Sequence, residues 1–182
     1  SGQIDDVPYL EHLGSLKKKI YLSTGMSRVS DIKNALNILV KNGTPKKNIE
    51  ILHCVTQYPA SNDNLNLKSI QFIKDKINLP VGYSDHSLGY EASLIAIGLG
   101  AKVIEKHFTL NKNQIGPDHK SSLNPEELVE FIKKIRQAEK SLGQYLKQPQ
   151  KVELVNLKFV RKKIVAKKEI LIGDIFTNQN II

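Results

Sequence analysis

The chain has 182 residues, enough for one domain and part of another, and its 40% hydrophobic content argues against disorder. No apolar run approaches the roughly 18 to 20 residues that cross a bilayer, no signal peptide opens the chain, and the single Cys54 excludes an internal disulfide, so we expect a cytoplasmic protein with no membrane partner. The net charge of +9 is spread along the chain with only 6% aromatic residues, which disfavours nucleic acid and leaves solvated helix faces or an anionic small substrate.

Four strand-then-helix units follow one another along the sequence. Apolar residues spaced three and four apart predict the helices, and short runs of β-forming residues predict the strands. In chain order, the strands are predicted at 19–22, 49–53, 80–84 and 101–107, and the helices at 30–43, 67–77, 90–99 and 124–142. Ser30 is predicted to cap the first helix, and Asn124 with Glu127 forms a capping box at the last, with Pro125 in its first turn.

Four consecutive units of this kind predict an α/β fold with a parallel sheet, because parallel strands need helical crossovers. Such strands close into a (β/α)8 barrel or lie open as a doubly wound sheet. The chemically interesting residues follow the C-terminal strand ends, as in barrel enzymes, and a full barrel usually needs about 250 residues. Residues 1–143 therefore predict half of a TIM barrel, residues 144–158 a polar linker, and residues 159–182 the beginning of a small β-rich domain.

Two histidines stand at the ends of successive predicted strands. Alternate residues of a strand face the same side, so Ser84 shares a face with His86. Glu105 likewise shares a face with His107, whereas Asp85 points away or joins the turn. If the strands are neighbours, both imidazoles reach one point, where two histidines with oxygen ligands suit Mn²⁺, Zn²⁺ or a similar ion. The alternative is that each histidine only satisfies a polar position at a strand end.

Other polar groupings point less clearly to chemistry. The consecutive residues 84–86 alternate in direction and cannot relay a proton as a Ser-His-Asp set does, and Cys54 is interpreted as a small buried hydrophobe. In the polar loop 111–120, Asp118 could accept hydrogen bonds from a polyol, or the loop is only an exposed Gly-Pro-Asp turn. The turn after Ser23 offers hydroxyls to a phosphate.

Five motifs together resemble the sialic acid synthase family, which comprises N-acetylneuraminate synthases and relatives for legionaminate, pseudaminate and spore-coat sugars. They are STGM (23–26), HCVTQYP (53–59), GYSDHSLG (82–89), EKHFTL (105–110) and GPDHKSSL (116–123). The tail after residue 160 resembles the start of the family's antifreeze-like (SAF) domain. The resemblance implies condensation of phosphoenolpyruvate with an open-chain N-acylated hexose, typically N-acetylmannosamine, to a nine-carbon 2-keto sugar acid and phosphate.

The resemblance also implies the site residues. His86 and His107 match the two protein ligands of a divalent metal, usually Mn²⁺, with Mg²⁺ or Co²⁺ as alternatives, which polarises the sugar aldehyde. Catalytic positions are matched by Glu105, His107 and Asp118. Substrate-binding positions are matched by Ser23, Thr56, Tyr58, Ser84 and Asp118. Thr56 departs from the pattern, because some members carry an asparagine there that contacts phosphoenolpyruvate.

By the same comparison, the chain begins near the end of the fourth barrel strand. We therefore expect it to be inactive alone, and we expect the full-length protein to be a homodimer. One alternative is a related synthase for legionaminate, pseudaminate or a spore-coat sugar. Another is a synthase of the Kdo 8-phosphate type, against which the antifreeze-like tail argues. A third is a non-catalytic carbohydrate-binding half-barrel.

Overall fold

The computed structural model describes residues 1–182, except for the side chain of Lys158. The chain divides into two compact units, Ser1–Gly143 and Gln144–Ile182. In chain order, the α-helices and strands of the described residues are α1 (Val7–Ser15), β1 (Ile20–Ser23), α2 (Val29–Lys41), β2 (Ile49–His53), α3 (Ser69–Ile77), β3 (Val81–Asp85), α4 (Glu91–Gly98), β4 (Ile104–Lys106), α5 (Pro125–Leu142) and α6 (Lys151–Val160). Across this described part, no helix has the length and apolar character needed to cross a membrane.

The four strands form one parallel sheet in the order β1-β2-β3-β4. Leu22 pairs with Ile51, Ile51 with Val81, and Tyr83 with Ile104. The predicted parallel sheet is therefore confirmed. Because all the strands run the same way, the segments that follow them lie along one edge of the sheet.

The strand β4 is shorter than predicted. It spans Ile104–Lys106, whereas the sequence predicts a strand over 101–107. The preceding residues still approach β3, since the carbonyl of Val103 accepts a hydrogen bond from the backbone N–H of Tyr83 at 2.8 Å. The chain therefore joins the sheet before its regular strand begins.

The helix α2 begins earlier than predicted. Its first residue is Val29, because the carboxylate of Asp31 accepts a hydrogen bond from the backbone N–H of Arg28 at 2.8 Å. Ser30 lies inside the helix, where its hydroxyl contacts Asp31 at 3.2 Å. The prediction that Ser30 caps this helix is therefore wrong.

The helix α1 lies outside the predicted elements. Asp6 caps it by accepting a hydrogen bond from the backbone N–H of Tyr9 at 3.1 Å. The helix packs against α2, and Gly14 permits the close approach. A Cβ at Gly14 would lie 2.8 Å from the backbone oxygen of Leu39.

The hydrophobic core of the first unit is built by the apolar faces of α1 to α4 and by the strands. Apolar residues three and four apart bring the helices onto the sheet. Its most deeply buried members include Leu10, Ile32, Ala35, Leu39, Ile49, Ile51, Ile70, Val81, Tyr83 and Ala96. A smaller cluster joins α4 and α5 through Ile97, Leu123, Phe131 and Ile135.

The predicted capping box of α5 is confirmed. The side chain of Asn124 accepts a hydrogen bond from the backbone N–H of Glu127 at 2.8 Å, and Glu127 accepts one from the backbone N–H of Asn124 at 3.0 Å. Lys112 also donates to the Glu127 carboxylate at 2.6 Å. The start of α5 is thereby fastened to the loop that follows β4.

The second unit contains a helix and a short antiparallel pairing. The predicted linker over 144–158 holds the first part of α6, because Glu153 accepts a hydrogen bond from the backbone N–H of Gln150 at 2.6 Å. Residues 151–158 of that segment are therefore helical, and residues 144–150 lie outside any helix or strand. Further along, Val165 and Ile182 exchange two backbone hydrogen bonds of 2.8 and 2.9 Å.

Candidate functional site

Three aromatic rings meet at the C-terminal edge of the sheet. His86 follows β3, His107 follows β4, and Tyr58 lies in the loop after β2. The ring centroids are 5.2 Å apart for the two histidines, 4.2 Å for Tyr58 and His86, and 5.3 Å for Tyr58 and His107. Neighbouring parallel strands thus bring both imidazoles to one place.

The orientation of the His86 ring is fixed by a backbone carbonyl. Its Nδ1 lies 2.7 Å from the oxygen of Val55. A carbonyl only accepts hydrogen bonds, so Nδ1 carries the proton and Nε2 carries the lone pair of the neutral ring. Burial lowers the pKa of His86 and favours this neutral form.

The hydroxyl of Ser84 connects the two strand ends. Ser84 Oγ lies 2.6 Å from a carboxylate oxygen of Glu105 and 3.3 Å from Nε2 of His86. A hydroxyl has one proton, and the shorter contact to the charged acceptor takes it. The lone pair on His86 Nε2 therefore does not accept the Ser84 proton and stays available to another partner.

His107 and Tyr58 form the more open side of the site. Nδ1 of His107 lies 3.9 Å from a carboxylate oxygen of Asp118, which is beyond hydrogen-bonding distance. Tyr58 is 46% exposed, and its ring lies against both imidazoles in a tilted arrangement. Desolvation raises the pKa of Tyr58, so its phenol stays a neutral hydrogen-bond donor.

The structure places Ser23 and Thr56 farther along the same edge. Ser23 ends β1, and Thr56 lies in the loop after β2, where its hydroxyl faces Gly25. A Cβ at position 25 would collide with that hydroxyl, so glycine is what allows this close approach. The histidine pair thus has Ser84, Glu105, Tyr58 and Asp118 around it, whereas the other two predicted residues line the neighbouring strand ends.

The sequence did not reveal a buried ion pair on the opposite face of these strands. Nζ of Lys106 lies 2.9 Å from a carboxylate oxygen of Asp85, and the two side chains are 4% and 0% exposed. Asp85 joins the turn by accepting hydrogen bonds from Ser87. Strand alternation predicts the face on which Asp85 lies. Its pairing with Lys106 depends on the register of β3 and β4, which the sequence pattern does not give.

The donors around the histidine pair fit a divalent metal ion held by two imidazoles. Nε2 of His86 presents a lone pair, and the centroids of the His86 and His107 rings are 5.2 Å apart. Among the described residues, no three His, Cys, Asp or Glu side chains are grouped to hold an ion. An ion here would take two protein ligands, with water or substrate oxygens in its other positions.

Comparison with known proteins gives close relatives along the whole chain. N,N'-diacetyllegionaminic acid synthase of Campylobacter jejuni is 51% identical over 181 residues, which cover 100% of this chain and 54% of that protein. Human N-acetylneuraminate-9-phosphate synthase is 36% identical over 178 residues, which cover 97% of this chain and 49% of that protein. The chain spans about half the length of the curated relatives that it matches.

A solved relative shares the fold. The crystal structure of N-acetylneuraminic acid (sialic acid) synthetase from Leptospira borgpetersenii, in complex with citrate, matches with a TM-score of 0.76 and 34% identity, over 88% of this chain and 56% of that one. The first unit is thus a parallel half-barrel of the α/β class with TIM-barrel-like neighbours. Residues 1–147 match the NeuB family. This chain belongs to the NeuB family, and its named relatives are synthases of sugar acids.

Proposed function

We propose that this chain supplies the metal-binding part of a synthase that joins phosphoenolpyruvate to an N-acylated hexose such as N-acetylmannosamine. One water is consumed, and the products are a nine-carbon 2-keto sugar acid and phosphate. The observation that carries the proposal is the placement of His86 and His107 with 5.2 Å between ring centroids, at the edge where parallel α/β enzymes hold substrate. The names of the relatives supply the reaction class.

His86 and His107 would hold the ion, Mn²⁺ in the first instance, with Mg²⁺ or Co²⁺ as alternatives. When bound, it acts as a Lewis acid on the sugar carbonyl. The chain's own part is to keep the His86 ring neutral and aimed, through its hydrogen bond to the Val55 carbonyl. Backbone partners of this kind are typical of histidines that bind metals.

Three side chains around the pair are proposed to meet the sugar. Glu105 is held in place by the Ser84 hydroxyl and accepts hydrogen bonds from sugar hydroxyls or moves a proton. Asp118, 47% exposed near His107, is the second acceptor and proton-handling carboxylate. Tyr58 covers the rings and excludes water from one side.

The phosphoenolpyruvate end is proposed to lie toward β1 and β2. Ser23 and Thr56 offer hydroxyls there, and Ser84 stands between this end and the histidine pair. Thr56 keeps a hydroxyl donor in place of the asparagine amide of some family members. The net charge of +9 favours an anionic substrate.

A legionaminate-type sugar is the second candidate substrate. The specific support is the 51% identity to the legionaminic acid synthase, against 36% to the human N-acetylneuraminate-9-phosphate synthase. The substrate would then be a deoxy, diacetamido relative of N-acetylmannosamine. A chimera in which this chain replaces the matching residues of the Campylobacter protein, supplied with either sugar, separates the two by the ratio of kcat/KM.

Three further proposals follow from the family resemblance. Residues 159–182 are proposed to belong to an antifreeze-like (SAF) domain, which fits the antiparallel pairing of Val165 with Ile182. The full-length protein is proposed to be a cytoplasmic homodimer. Sedimentation and cell fractionation of the full-length protein check the last two.

The metal role is tested by titrating the chain with Mn²⁺ in a calorimeter. We expect one site in the wild type, and none in His86→Ala or His107→Ala, with circular dichroism showing that each variant is folded. His12→Ala is the matched control, because His12 is an exposed histidine on α1. Mn²⁺ binding that survives in both histidine variants would exclude these residues as ligands.

A further inference from the structure

We propose that Asp85 and Lys106 are positioning residues for His86. Their buried ion pair fixes the turn that carries His86 and thereby the direction of its free ring nitrogen. The inference rests on the proposed metal role of His86. Both residues act through His86 rather than on substrate, because their side chains lie on the opposite face of β3 and β4.

The pair fastens three elements together behind the site. The Lys106 ammonium on β4 contacts one carboxylate oxygen of Asp85 on β3 at 2.9 Å. The same oxygen accepts a hydrogen bond from the hydroxyl of Ser93 on α4 at 2.6 Å. Tyr83 donates to the other oxygen at 3.4 Å. The Asp85 carboxylate is thus held by partners on both sides.

Asp85 precedes His86 in the chain, and Ser87, which follows it, hydrogen bonds to both members of the pair. Asp85 accepts hydrogen bonds from the backbone N–H of Ser87 at 2.8 Å and from its hydroxyl at 2.6 Å. Lys106 donates to the backbone carbonyl of Ser87. These contacts close the turn around His86, whose own carbonyl accepts from the N–H of Ala60 at 2.8 Å. The imidazole therefore leaves a backbone that is held at both neighbours.

Stability alone does not account for such a pair. Desolvating two charges costs several kcal/mol per ion, and well-packed apolar residues often replace a buried pair without loss of stability. A geometric task next to a ligand side chain does account for it, because misplacement of a ligand by a fraction of an ångström weakens a metal site. Asp85 and Lys106 lie where such a task exists.

The main test is the double variant Asp85→Asn/Lys106→Met, which removes both charges and leaves no unpaired ion. We expect its Mn²⁺ affinity to fall by about 10- to 100-fold, the usual effect of removing a support behind a metal ligand. In the metal-free chain, the ring nitrogen signals of His86 should change from one Nδ1-protonated tautomer to a mixture. Calorimetry and nitrogen NMR of labelled histidine measure the two effects.

Two controls separate positioning from a general loss of stability. Gly14→Ala disturbs the contact between α1 and α2, and Lys102→Met removes an exposed lysine that precedes β4. Both should keep the wild-type Mn²⁺ affinity and His86 signals.

If the double variant does not fold, Ser87→Ala replaces it, because this change deletes one hydroxyl and keeps the ion pair. Ser87→Ala should shift the His86 signals in the same direction.

The outcomes also distinguish this inference from the proposed function. A folded double variant, or a folded Ser87→Ala in its place, with wild-type affinity and wild-type His86 signals would overturn the positioning role. If the wild type binds no Mn²⁺ but the variant changes the His86 tautomer, the metal proposal fails and the positioning role stands.

Discussion

At the scale of single residues, β3 and β4 carry two polar layers on opposite faces. Ser84 and Glu105 face the histidine pair and hydrogen bond to each other at 2.6 Å. Asp85 and Lys106 face away from it and form a buried ion pair. Adjacent positions along one strand therefore have different roles. A substitution at 84 or 105 changes the side chains around the histidine pair, whereas one at 85 or 106 changes the ion pair behind it.

His53 predicts a pH dependence of stability. The ring is 7% exposed and donates Nε2–H to the carbonyl of Leu65 at 2.8 Å, and burial lowers its pKa from the ordinary 6.5. As the pH falls below 6.5, the unfolded chain binds a proton at His53 before the folded chain does. The contribution of His53 to the free energy of unfolding is therefore present above pH 6.5 and is lost as the pH falls below it. Urea unfolding at about pH 7.5 and 5.5 should show a larger decrease for the wild type than for His53→Gln. Equal decreases would contradict this.

Lys106 predicts a large and asymmetric effect on stability. Lys106→Met leaves the carboxylate of Asp85 buried without its cation, which should lower the free energy of unfolding by about 3–5 kcal/mol. Adding Asp85→Asn should restore much of this loss, because no uncompensated charge remains. Urea denaturation of both variants measures the difference. A double variant that is less stable than Lys106→Met would contradict the prediction.

Some residue-level features were accessible from sequence and others were not. Strand alternation was enough to group Ser84 with His86 and Glu105 with His107. The hydrogen bond from His86 to the carbonyl of Val55 was not predictable, since it joins residues 31 positions apart and any residue type has a carbonyl. The pairing of Asp85 with Lys106 needed the register of two strands, which the sequence pattern alone does not give.

At the scale of elements, two glycines predict opposite effects of the same substitution. Gly14→Ala puts a Cβ 2.8 Å from the backbone of Leu39, so overpacking should lower the free energy of unfolding by about 1–3 kcal/mol. Gly98 lies at the end of α4, where a Cβ would meet no atom within 4 Å. Gly98→Ala should raise stability by up to about 1 kcal/mol. Thermal unfolding compares the two, and a shift of the same sign in both would contradict the packing explanation.

Helix starts differ in how local their causes are. The start of α5 was predictable because Asn124 and Glu127 satisfy each other's backbone N–H groups within four residues. The helix α1 was missed because its buried face is short, with Leu10 and Gly14 packed on a helix that comes later in the chain. The interpretation of 144–158 as a linker overlooked the cap that Glu153 provides for α6.

At the scale of the whole molecule, the division into two units predicts where proteases cut. Residues 144–150 are exposed and belong to neither α5 nor α6. Limited trypsin digestion should therefore cut at Lys147 before it cuts inside Ser1–Gly143, as followed by mass spectrometry. Lys147→Gln should slow that cut. First cleavage inside Ser1–Gly143 would contradict the division.

The parallel half-barrel was predictable because four strand-then-helix units leave few topologies. The architecture of the second unit was less accessible, since its short β-like runs carry little periodicity.

The loop 54–60 contacts His86 in three ways. Val55 accepts from its ring, Ala60 donates to its carbonyl, and Tyr58 lies against its imidazole. An engineer who grafts this loop from a relative would also replace the contacts that hold the ring and the backbone of His86. Under the proposed roles of Tyr58 toward the sugar and of His86 toward the metal, substrate choice and metal affinity become coupled traits that must be selected together.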